Sequence, residues 1–289
     1  QIRTEPGYDI DSGLNQLELR GRGSTAKVRL LNKLRDIHNM GWVTGRRLSG
    51  STVVPTSAPQ AVGYTLEALL GVSANGYNEP DFEGYEVKAM TLPAFDRGAS
   101  KAVTVMTPEP DLGVYQEDGV REFLRRWGYA DKRGRPDRRN FGGVHRVGIC
   151  HETTGLTLTL NGFDPELPDR FDPDGDLSLV DPNGIAAAGW TFRKLVDRWS
   201  RKHAAAAYIP AIAADKPRRF MYGDCVLLCE GADMLRVLAA LAAGDLYLDP
   251  AIKGEKWASG TPNIKCRNQF RIRRNRIFGL YRSSSNYRL

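Results

Sequence analysis

The stretch PDFEGYEVK at residues 80–88 constrains the fold of this chain most, because polar and apolar residues alternate through its second half. Alternation with a period of two is the pattern of a half-buried β-strand. Side chains two residues apart on a strand share a face, so Glu86 and Lys88 point the same way. Asp81 lies just before the strand, across a bend that Gly84 makes easy. The pattern therefore predicts two carboxylates and one ammonium group near the start of a strand.

Two carboxylates and a lysine that converge on one place suit a Mg²⁺-dependent phosphodiester nuclease. Mg²⁺ is a hard cation that takes carboxylate oxygens and keeps several waters. It polarises the phosphate and makes a bound water more acidic, while the ammonium group can orient that water or offset the growing negative charge. The alternative is an ordinary amphipathic strand with a solvated Glu/Lys face, because the spacing Asp-x4-Glu-x-Lys occurs by chance in many proteins.

Further segments accompany this stretch along the chain. They are GYTLEALLG at 63–71 with the loop 72–79, LNKLRDIHNMG at 31–41, WGY at 127–129, GLTLTLN at 155–161, FRI at 270–272 and GLYR at 279–282. Together with residues 80–88, these segments resemble the MvaI/BcnI family of type II restriction endonucleases. That family is related to the mismatch-repair nicking enzyme MutH, within the PD-(D/E)xK nucleases. The resemblance covers the chain from about residue 26 to its end.

The resemblance implies an α/β fold with a PD-(D/E)xK (restriction endonuclease-like) core, in which helices flank a mixed central β-sheet and two lobes surround a DNA cleft. Residues 26–289 would form the MutH/MvaI-like nuclease domain. Its catalytic lobe would include residues 26–130 plus later core elements, and its recognition lobe residues 256–289. Residues 1–25 are polar and Gly/Arg-rich, and we interpret them as a linker or N-terminal extension. A DNA-binding domain could precede them in the full-length protein.

The resemblance also implies roles for the site residues. Asp81 and Glu86 would ligate the metal, and Lys88 would position or activate the attacking water. Glu67 would assist from a helix, as an orienting group or an extra carboxylate. The expected cofactor is Mg²⁺, with Mn²⁺ as a substitute and Ca²⁺ supporting binding without cleavage.

The expected function is sequence-specific cleavage of double-stranded DNA, and the resemblance implies a monomer that nicks each strand in turn at a short site built on CC(W or S)GG. One alternative is a MutH-like nicking enzyme that depends on a mismatch-repair partner. Another is a DNA-binding module that has lost catalysis. The presence of Asp81, Glu86 and Lys88 argues against that last alternative.

Helical and strand patterns alternate along the chain, which predicts an α/β domain with a mixed sheet. Apolar spacing and capping residues predict helices over residues 26–40, 60–70, 118–127, 191–201 and 233–242. Strands are predicted over residues 102–106 (next to the catalytic strand), 144–150 and 156–161 (as a pair), and 204–213 (as a buried strand).

The C-terminal segment, residues 256–289, contains no acidic residue but many arginines. Lys and Arg neutralise phosphates, and Arg, Asn and Gln can form bidentate contacts to base edges. Apolar residues interleaved with them would anchor the segment to a core, which favours DNA contact over a solvated basic tail. The predicted contacts are Lys265, Arg267, Asn268, Gln269, Arg271, Arg273 and Arg274. We expect Arg267, Gln269 and Arg271 to share one face of a strand and at least one of them to read a base.

A second basic stretch, residues 130–143, is too polar to be core and carries glycine and proline. It could enter a groove or clamp the DNA backbone, and a solvated loop is an equal alternative. The predicted contacts in it are Arg133, Arg135, Arg138 and Arg139. The resemblance adds Thr107, because Thr107 and Gln269 occupy positions where base-reading histidines stand in one branch of the family.

Composition agrees with this interpretation. The chain has 289 residues and a formal net charge of +7, which favours a polyanionic partner such as double-stranded DNA. No apolar run approaches the ~20 residues that a membrane span requires. Four scattered cysteines contain no Cys-x-x-Cys pair, which favours free thiols in a reducing compartment over a disulfide framework or a zinc site. We therefore expect a prokaryotic cytoplasmic protein that does not engage a membrane.

Overall fold

A computed structural model describes residues 10–73, 79–95 and 102–289. Helices and strands alternate along the chain, as predicted. The helices are α1 (Ile10–Asn39), α2 (Ala61–Leu70), α3 (Val114–Glu117), α4 (Gly119–Trp127), α5 (Phe192–His203) and α6 (Met234–Ala242). The first nine strands are β1 (Val43–Thr44), β2 (Arg46–Ser49), β3 (Thr52–Pro55), β4 (Tyr85–Thr91), β5 (Ala102–Met106), β6 (Tyr129–Ala130), β7 (Arg138–Gly142), β8 (Thr157–Asn161) and β9 (Asp176–Val180).

The later strands complete the sheets. They are β10 (Ala186–Thr191), β11 (Ala205–Asp215), β12 (Arg218–Tyr222), β13 (Cys225–Ala232), β14 (Leu246–Leu248), β15 (Ala251–Glu255), β16 (Asn263–Lys265), β17 (Phe270–Arg273) and β18 (Tyr281–Arg288). Two segments discussed above fall partly outside the described residues, namely the predicted extension (residues 1–9) and the loop before the catalytic stretch (residues 74–78).

One sheet of the described residues carries the catalytic stretch. Its strand order is β1-β12-β11-β13-β18, and β4 pairs with β11. Tyr208 and Ile209 of β11 are both fully buried, although consecutive side chains on a strand point to opposite faces. Both faces of β11 are therefore covered at this point, which confirms the predicted buried strand over residues 204–213.

The chain divides into two compact units. Unit 1 comprises Gln1–Arg97, Ala207–Leu228 and Asn286–Leu289, and unit 2 comprises Gly98–Ala206 and Cys229–Ser285. Residues 98–130, which we expected in the catalytic lobe, therefore belong to unit 2. All four predicted catalytic residues lie in unit 1, and all the predicted DNA contacts lie in unit 2.

Helix α2 follows the prediction closely. Leu66 and Leu70 are buried, and the helix packs against β4. It ends at Gly71, whose φ of 80° is left-handed and whose N–H donates to the carbonyl of Ala68. A left-handed residue after a helix favours glycine, so the sequence marks this end correctly.

Three predicted elements differ from the structure. Helix α1 begins at Ile10 instead of Ala26, since extending a formed helix gains one hydrogen bond per residue even through weak helix formers. Strand β5 does not lie next to the catalytic strand β4, because it pairs with β17 of unit 2 and places Val103 opposite Ile272. Residues 144–150 make isolated bridges to different partners instead of a strand that pairs with β8 along its length.

A four-stranded sheet in unit 2 has the order β16-β15-β7-β6. Phe141 of β7 and Ile252 of β15 are opposite each other and almost fully buried. The Phe141 ring meets Phe123 of α4 edge-on, with ring centroids 4.6 Å apart. One face of this sheet is therefore fixed to the core of unit 2, and side chains at alternate positions are directed to its other face.

Candidate active site

A tight hairpin before β4 shapes the catalytic stretch. Phe82 and Tyr85 exchange two backbone hydrogen bonds of 2.9 and 2.8 Å. The two residues between them, Glu83 and Gly84, both have positive φ values of 44° and 90°. Positive φ at both central positions is the geometry of a two-residue turn that matches strand twist. The expected bend therefore exists, and it requires a left-handed conformation of Glu83 as well as of Gly84.

The hairpin returns Asp81 to the beginning of β4. Its Oδ2 atom accepts a hydrogen bond of 3.0 Å from the backbone N–H of Val87. Val87 follows Glu86 directly, so one carboxylate is fixed to the strand beside the residue that carries the second. A backbone donor that holds a carboxylate also limits how far that carboxylate can move.

Glu86 and Lys88 form a partly enclosed ion pair on β4. Lys88 Nζ donates to Glu86 Oε1 at 2.8 Å, and the two side chains are 20% and 4% exposed. This contact confirms that they share a face. Because both side chains are largely shielded from water, the structure excludes a solvated Glu/Lys face. The ion pair offsets the cost of burying the Glu86 carboxylate. β4 is also buried on both faces at its start, in contrast to the half-buried strand that the alternation predicts.

Arg29 of α1 forms side-chain hydrogen bonds with Glu83 of the hairpin. Its Nε lies 2.9 and 2.8 Å from the two carboxylate oxygens of Glu83, and its Nη2 also donates to that carboxylate. The Arg29 hydrogen bond holds the pKa of Glu83 below its ordinary value. Sequence reasoning missed this contact, because a helix position and a loop position give no sign that they meet.

Glu67 lies on α2, the helix that packs against β4. Burial raises the pKa of the Tyr222 hydroxyl, and the negative charge of Glu67 raises it further. The Tyr222 hydroxyl donates to the carbonyl of Val62 at 2.7 Å. Glu67 itself is half-buried on a helix that packs against β4, and its catalytic role stays a prediction.

The donor set suits a hard divalent cation. Within the described ranges, no three His, Cys, Asp or Glu side chains form a potential metal-binding group. Mg²⁺ does not need such a cage, since one or two carboxylates with waters and substrate phosphates commonly suffice. Asp81 and Glu86 are two carboxylates of this kind, so the residues present fit the implied cofactor.

Thr107 and the predicted DNA contacts of the C-terminal segment other than Asn268 fall into two groups. Thr107, Lys265, Arg267 and Arg273 are exposed, whereas Gln269, Arg271 and Arg274 are half-buried. The predicted register is only partly correct, because β17 begins at Phe270 and a bulge separates Phe270 from Arg271. Arg271 Nη1 is also 2.5 Å from the Asp249 carboxylate, which ties its guanidinium to unit 2.

The polar groups of three predicted DNA contacts form hydrogen bonds within the protein. Asn268 is 3% exposed, and its Nδ2 donates to Glu109 at 2.9 Å. Arg139 donates to the carbonyls of Leu124 at 3.1 Å and Gly128 at 2.6 Å.

Arg138 is the third of these residues. Its Nε donates to Asn140 Oδ1 at 3.0 Å, and its side chain is only 10% exposed. Charge and polarity alone do not separate such structural residues from DNA contacts.

No helix in the part of the chain that the structure describes is long and apolar enough to cross a membrane. No curated protein matches the chain. A solved complex of the restriction endonuclease MvaI with its cognate DNA substrate matches with a TM-score of 0.66 and 16% identity, over 89% of this chain and 96% of that one. MvaI in the absence of DNA matches with a TM-score of 0.46 and 16% identity, over 91% and 97%.

The match to the MvaI complex establishes the fold, which is mixed α/β of the PD-(D/E)xK type. The family model of the MvaI/BcnI restriction endonuclease family matches residues 31–281. This range includes the whole catalytic hairpin, β4 and the basic C-terminal segment as far as Tyr281. The chain is therefore a type II site-specific nuclease that belongs to the MvaI/BcnI restriction endonuclease family.

Proposed function

We propose that this protein cleaves double-stranded DNA with Mg²⁺ as a monomer, nicking each strand in turn at a short site of the CC(W or S)GG type. Family membership supports the reaction class. The proposal places the enzyme in the prokaryotic cytoplasm, where it would meet DNA. Mn²⁺ would replace Mg²⁺, and Ca²⁺ would support binding alone.

The observation that carries the proposal is the burial of Glu86 beside Lys88, on the strand whose backbone also holds the Asp81 carboxylate. Glu86 is 3% exposed, yet it occupies a strand position that an apolar residue would fill at less cost. Titratable groups that are buried together are frequent at functional sites, although structural ion pairs also occur. The backbone bond that holds Asp81 beside the same strand favours the functional interpretation.

Each residue of the site has a distinct proposed role. Asp81 and Glu86 would hold the cation, which supplies Lewis-acid polarisation of the scissile phosphate when bound. Lys88 would orient the attacking water and offset negative charge that develops on the phosphate. Glu67 would support this arrangement from α2.

The proposed DNA contacts are the predicted residues whose side chains are available. They are Thr107, Arg133, Arg135, Lys265, Arg267, Gln269, Arg273 and Arg274, with Arg271 as a weaker candidate because of its Asp249 partner. Asn268, Arg138 and Arg139 would act indirectly, since their polar atoms are engaged within unit 2.

Digestion of a fully sequenced supercoiled plasmid tests the proposal. We expect Mg²⁺ to give a nicked circle first and then linear fragments, whose mapped ends share one short motif. Ca²⁺ should give a shifted band without cleavage. Nicked circles that never become linear would instead indicate a MutH-like nicking enzyme, and absence of any cleavage in Mg²⁺ or Mn²⁺ would indicate a binding module.

A further inference from the structure

A row of polar residues with two lysines at one end crosses the outer face of the four-stranded sheet in unit 2. Lys253 of β15 lies directly opposite Lys265 of β16. On its other side, Lys253 lies opposite Asn140 of β7, which in turn lies opposite Tyr129 of β6. Residues that are paired across strands share a face, so two lysines stand side by side on the face away from the buried Phe141.

A cleft of about 430 Å³ opens beside this row. Its walls combine the sheet face with the loop that follows β6, and its cationic lining residues are Lys132, Arg133, Arg135, Arg138 and Lys253. The carboxylate in the lining, Asp131, accepts from Asn140 Nδ2 at 2.8 Å. That hydrogen bond lowers the pKa of Asp131, so one negative charge faces five positive ones.

Several cations of the cleft and the sheet face form no ion pair with any residue that the structure describes. Among the described residues, no ion pair involves Arg133, Arg135, Lys253 or Lys265. Arg138, by contrast, is shared between Asp131 at 3.9 Å and Glu255 at 3.8 Å. The charge of Arg138 is therefore partly neutralised within the protein. The charges of the other four cations are compensated by no acidic residue that the structure describes.

Like charges directly opposite each other destabilise a pair of strands. An anion between Lys253 and Lys265 would remove that repulsion, and the buried opposite face keeps their backbones in place. A surface of this kind suits a regularly charged polyanion better than a single base edge, because ammonium groups act as point charges without a bidentate geometry.

We propose that this sheet face is a phosphate-binding site, in which Lys253 and Lys265 with Arg133 and Arg135 hold the backbone of duplex DNA. The identification of the polyanion as DNA rests on the proposed function. The site contributes affinity and salt dependence without sequence information, and Lys253 is one of its principal residues.

Binding of fluorescent 30-base-pair duplexes in Ca²⁺ tests the site. We compare the wild-type protein with Lys253→Gln, Lys265→Gln and the double variant over a range of salt concentrations. Each lost phosphate contact should reduce the slope of log K against log salt by about 0.9, and the double variant by about 2. The loss should be equal for a CC(W or S)GG duplex and a scrambled duplex.

Two further readouts separate binding from folding. Without DNA, the melting temperatures of the variants should be equal to or above that of the wild type, because the repulsion is relieved. With the scrambled duplex, their melting temperatures should rise less. Lys33→Gln removes the same charge from an exposed position on α1 and should leave the slope unchanged.

An unchanged slope in the double variant would overturn the phosphate site, as would a loss confined to one duplex or an equal effect of Lys33→Gln. Reduced melting temperatures without DNA would show that the lysines stabilise the fold instead. The assay does not depend on cleavage. If the wild type binds but never cuts, while the lysine variants lose slope, the phosphate site stands and the proposed function fails.

Discussion

At the scale of single residues, the polar side chains of Glu86 and Asn268 have different partners. Both are almost fully buried, yet Glu86 faces Lys88 on the catalytic strand, whereas Asn268 donates to Glu109 within unit 2. The spacing of Asp81, Glu86 and Lys88 predicts a role for Glu86, because the three residues lie close together in the sequence. The partner of Asn268 is distant in sequence, so its structural role could not be predicted.

Removal of one metal-ligating carboxylate should abolish cleavage while DNA binding persists. We expect Glu86→Gln and Asp81→Asn to reduce the single-turnover rate in Mg²⁺ by at least ~1000-fold, about 4 kcal/mol of transition-state stabilisation. Retention of a band shift in Ca²⁺ would show that the variants still bind. Glu166→Gln changes an exposed loop carboxylate and serves as the matched control. Wild-type rates in either site variant would refute the assignment.

Glu67 should matter less than the carboxylates of β4. If it orients the water or the cation from α2, Glu67→Gln should slow single-turnover cleavage at least ~10-fold, equivalent to about 1.4 kcal/mol. The unfolding transition of the variant should be measured alongside, because Glu67 also acts on the environment of Tyr222. A wild-type cleavage rate would show that Glu67 has no part in catalysis.

Base recognition should reside in Arg267, Gln269 or Arg271. An alanine substitution at a base reader should cost ~1–3 kcal/mol at one base pair and relax discrimination there. Site-preference profiling of the three alanine variants at two salt concentrations distinguishes this from loss of a phosphate contact. Uniform, salt-sensitive losses in all three would move recognition to residues 130–143.

At the scale of elements, the sequence predicts what depends on near neighbours and not what depends on distant ones. Helix α2 ends at Gly71 as predicted, since the left-handed cap is a local requirement. The partner of β5 was predicted wrongly, because alternation identifies a strand without identifying its neighbour. Arg139 is a similar case, since nothing local indicates that it caps the end of α4 through the Gly128 carbonyl.

The hairpin before β4 should depend on the clasp between Arg29 and Glu83. Arg29→Ala frees the Glu83 side chain, so a higher Mg²⁺ concentration should be needed for half-maximal cleavage. Glu83→Gly removes the same clasp but suits the left-handed φ of 44°. Adding Arg29→Ala to Glu83→Gly should therefore change the Mg²⁺ requirement no further. If Arg29→Ala raised the Mg²⁺ requirement equally in the wild type and in the Glu83→Gly variant, Arg29 would act through a contact other than Glu83.

At the scale of the whole molecule, the predicted catalytic and DNA-binding roles fall in different units, whose boundaries were not predicted from the sequence. The predicted catalytic residues belong to unit 1 and the predicted DNA contacts to unit 2, although each unit is assembled from separate segments. Charge counts along the chain correctly favour a polyanionic partner. They cannot show that Lys253 and Lys265 become neighbours, which is a property of strand register.

Stability should fall as the solution becomes acidic, in part because of His145. Burial, together with the nearby His151, lowers its pKa to about 4. Unfolded chains protonate this histidine near pH 6.5 while the folded chain does not, so its contribution is complete above that pH. Between pH 6.5 and 4 the loss should reach about 3 kcal/mol.

Denaturant unfolding at several pH values checks this contribution. His145→Asn should flatten the pH dependence, whatever its effect on stability at pH 7.5. An equally steep dependence in the variant would assign the acid sensitivity to other groups.

The pairing of β4 with β11 has a consequence for synthesis in the cell. The catalytic hairpin leaves the ribosome early, but its strand partner Ala205–Asp215 emerges much later. Folding that waits for a distant partner is slow to begin, because the intervening chain must first be ordered. A nascent fragment that ends before Ala205 should therefore be inert toward the DNA of its own cell. Cutting competence would arise only when most of the polypeptide has been made.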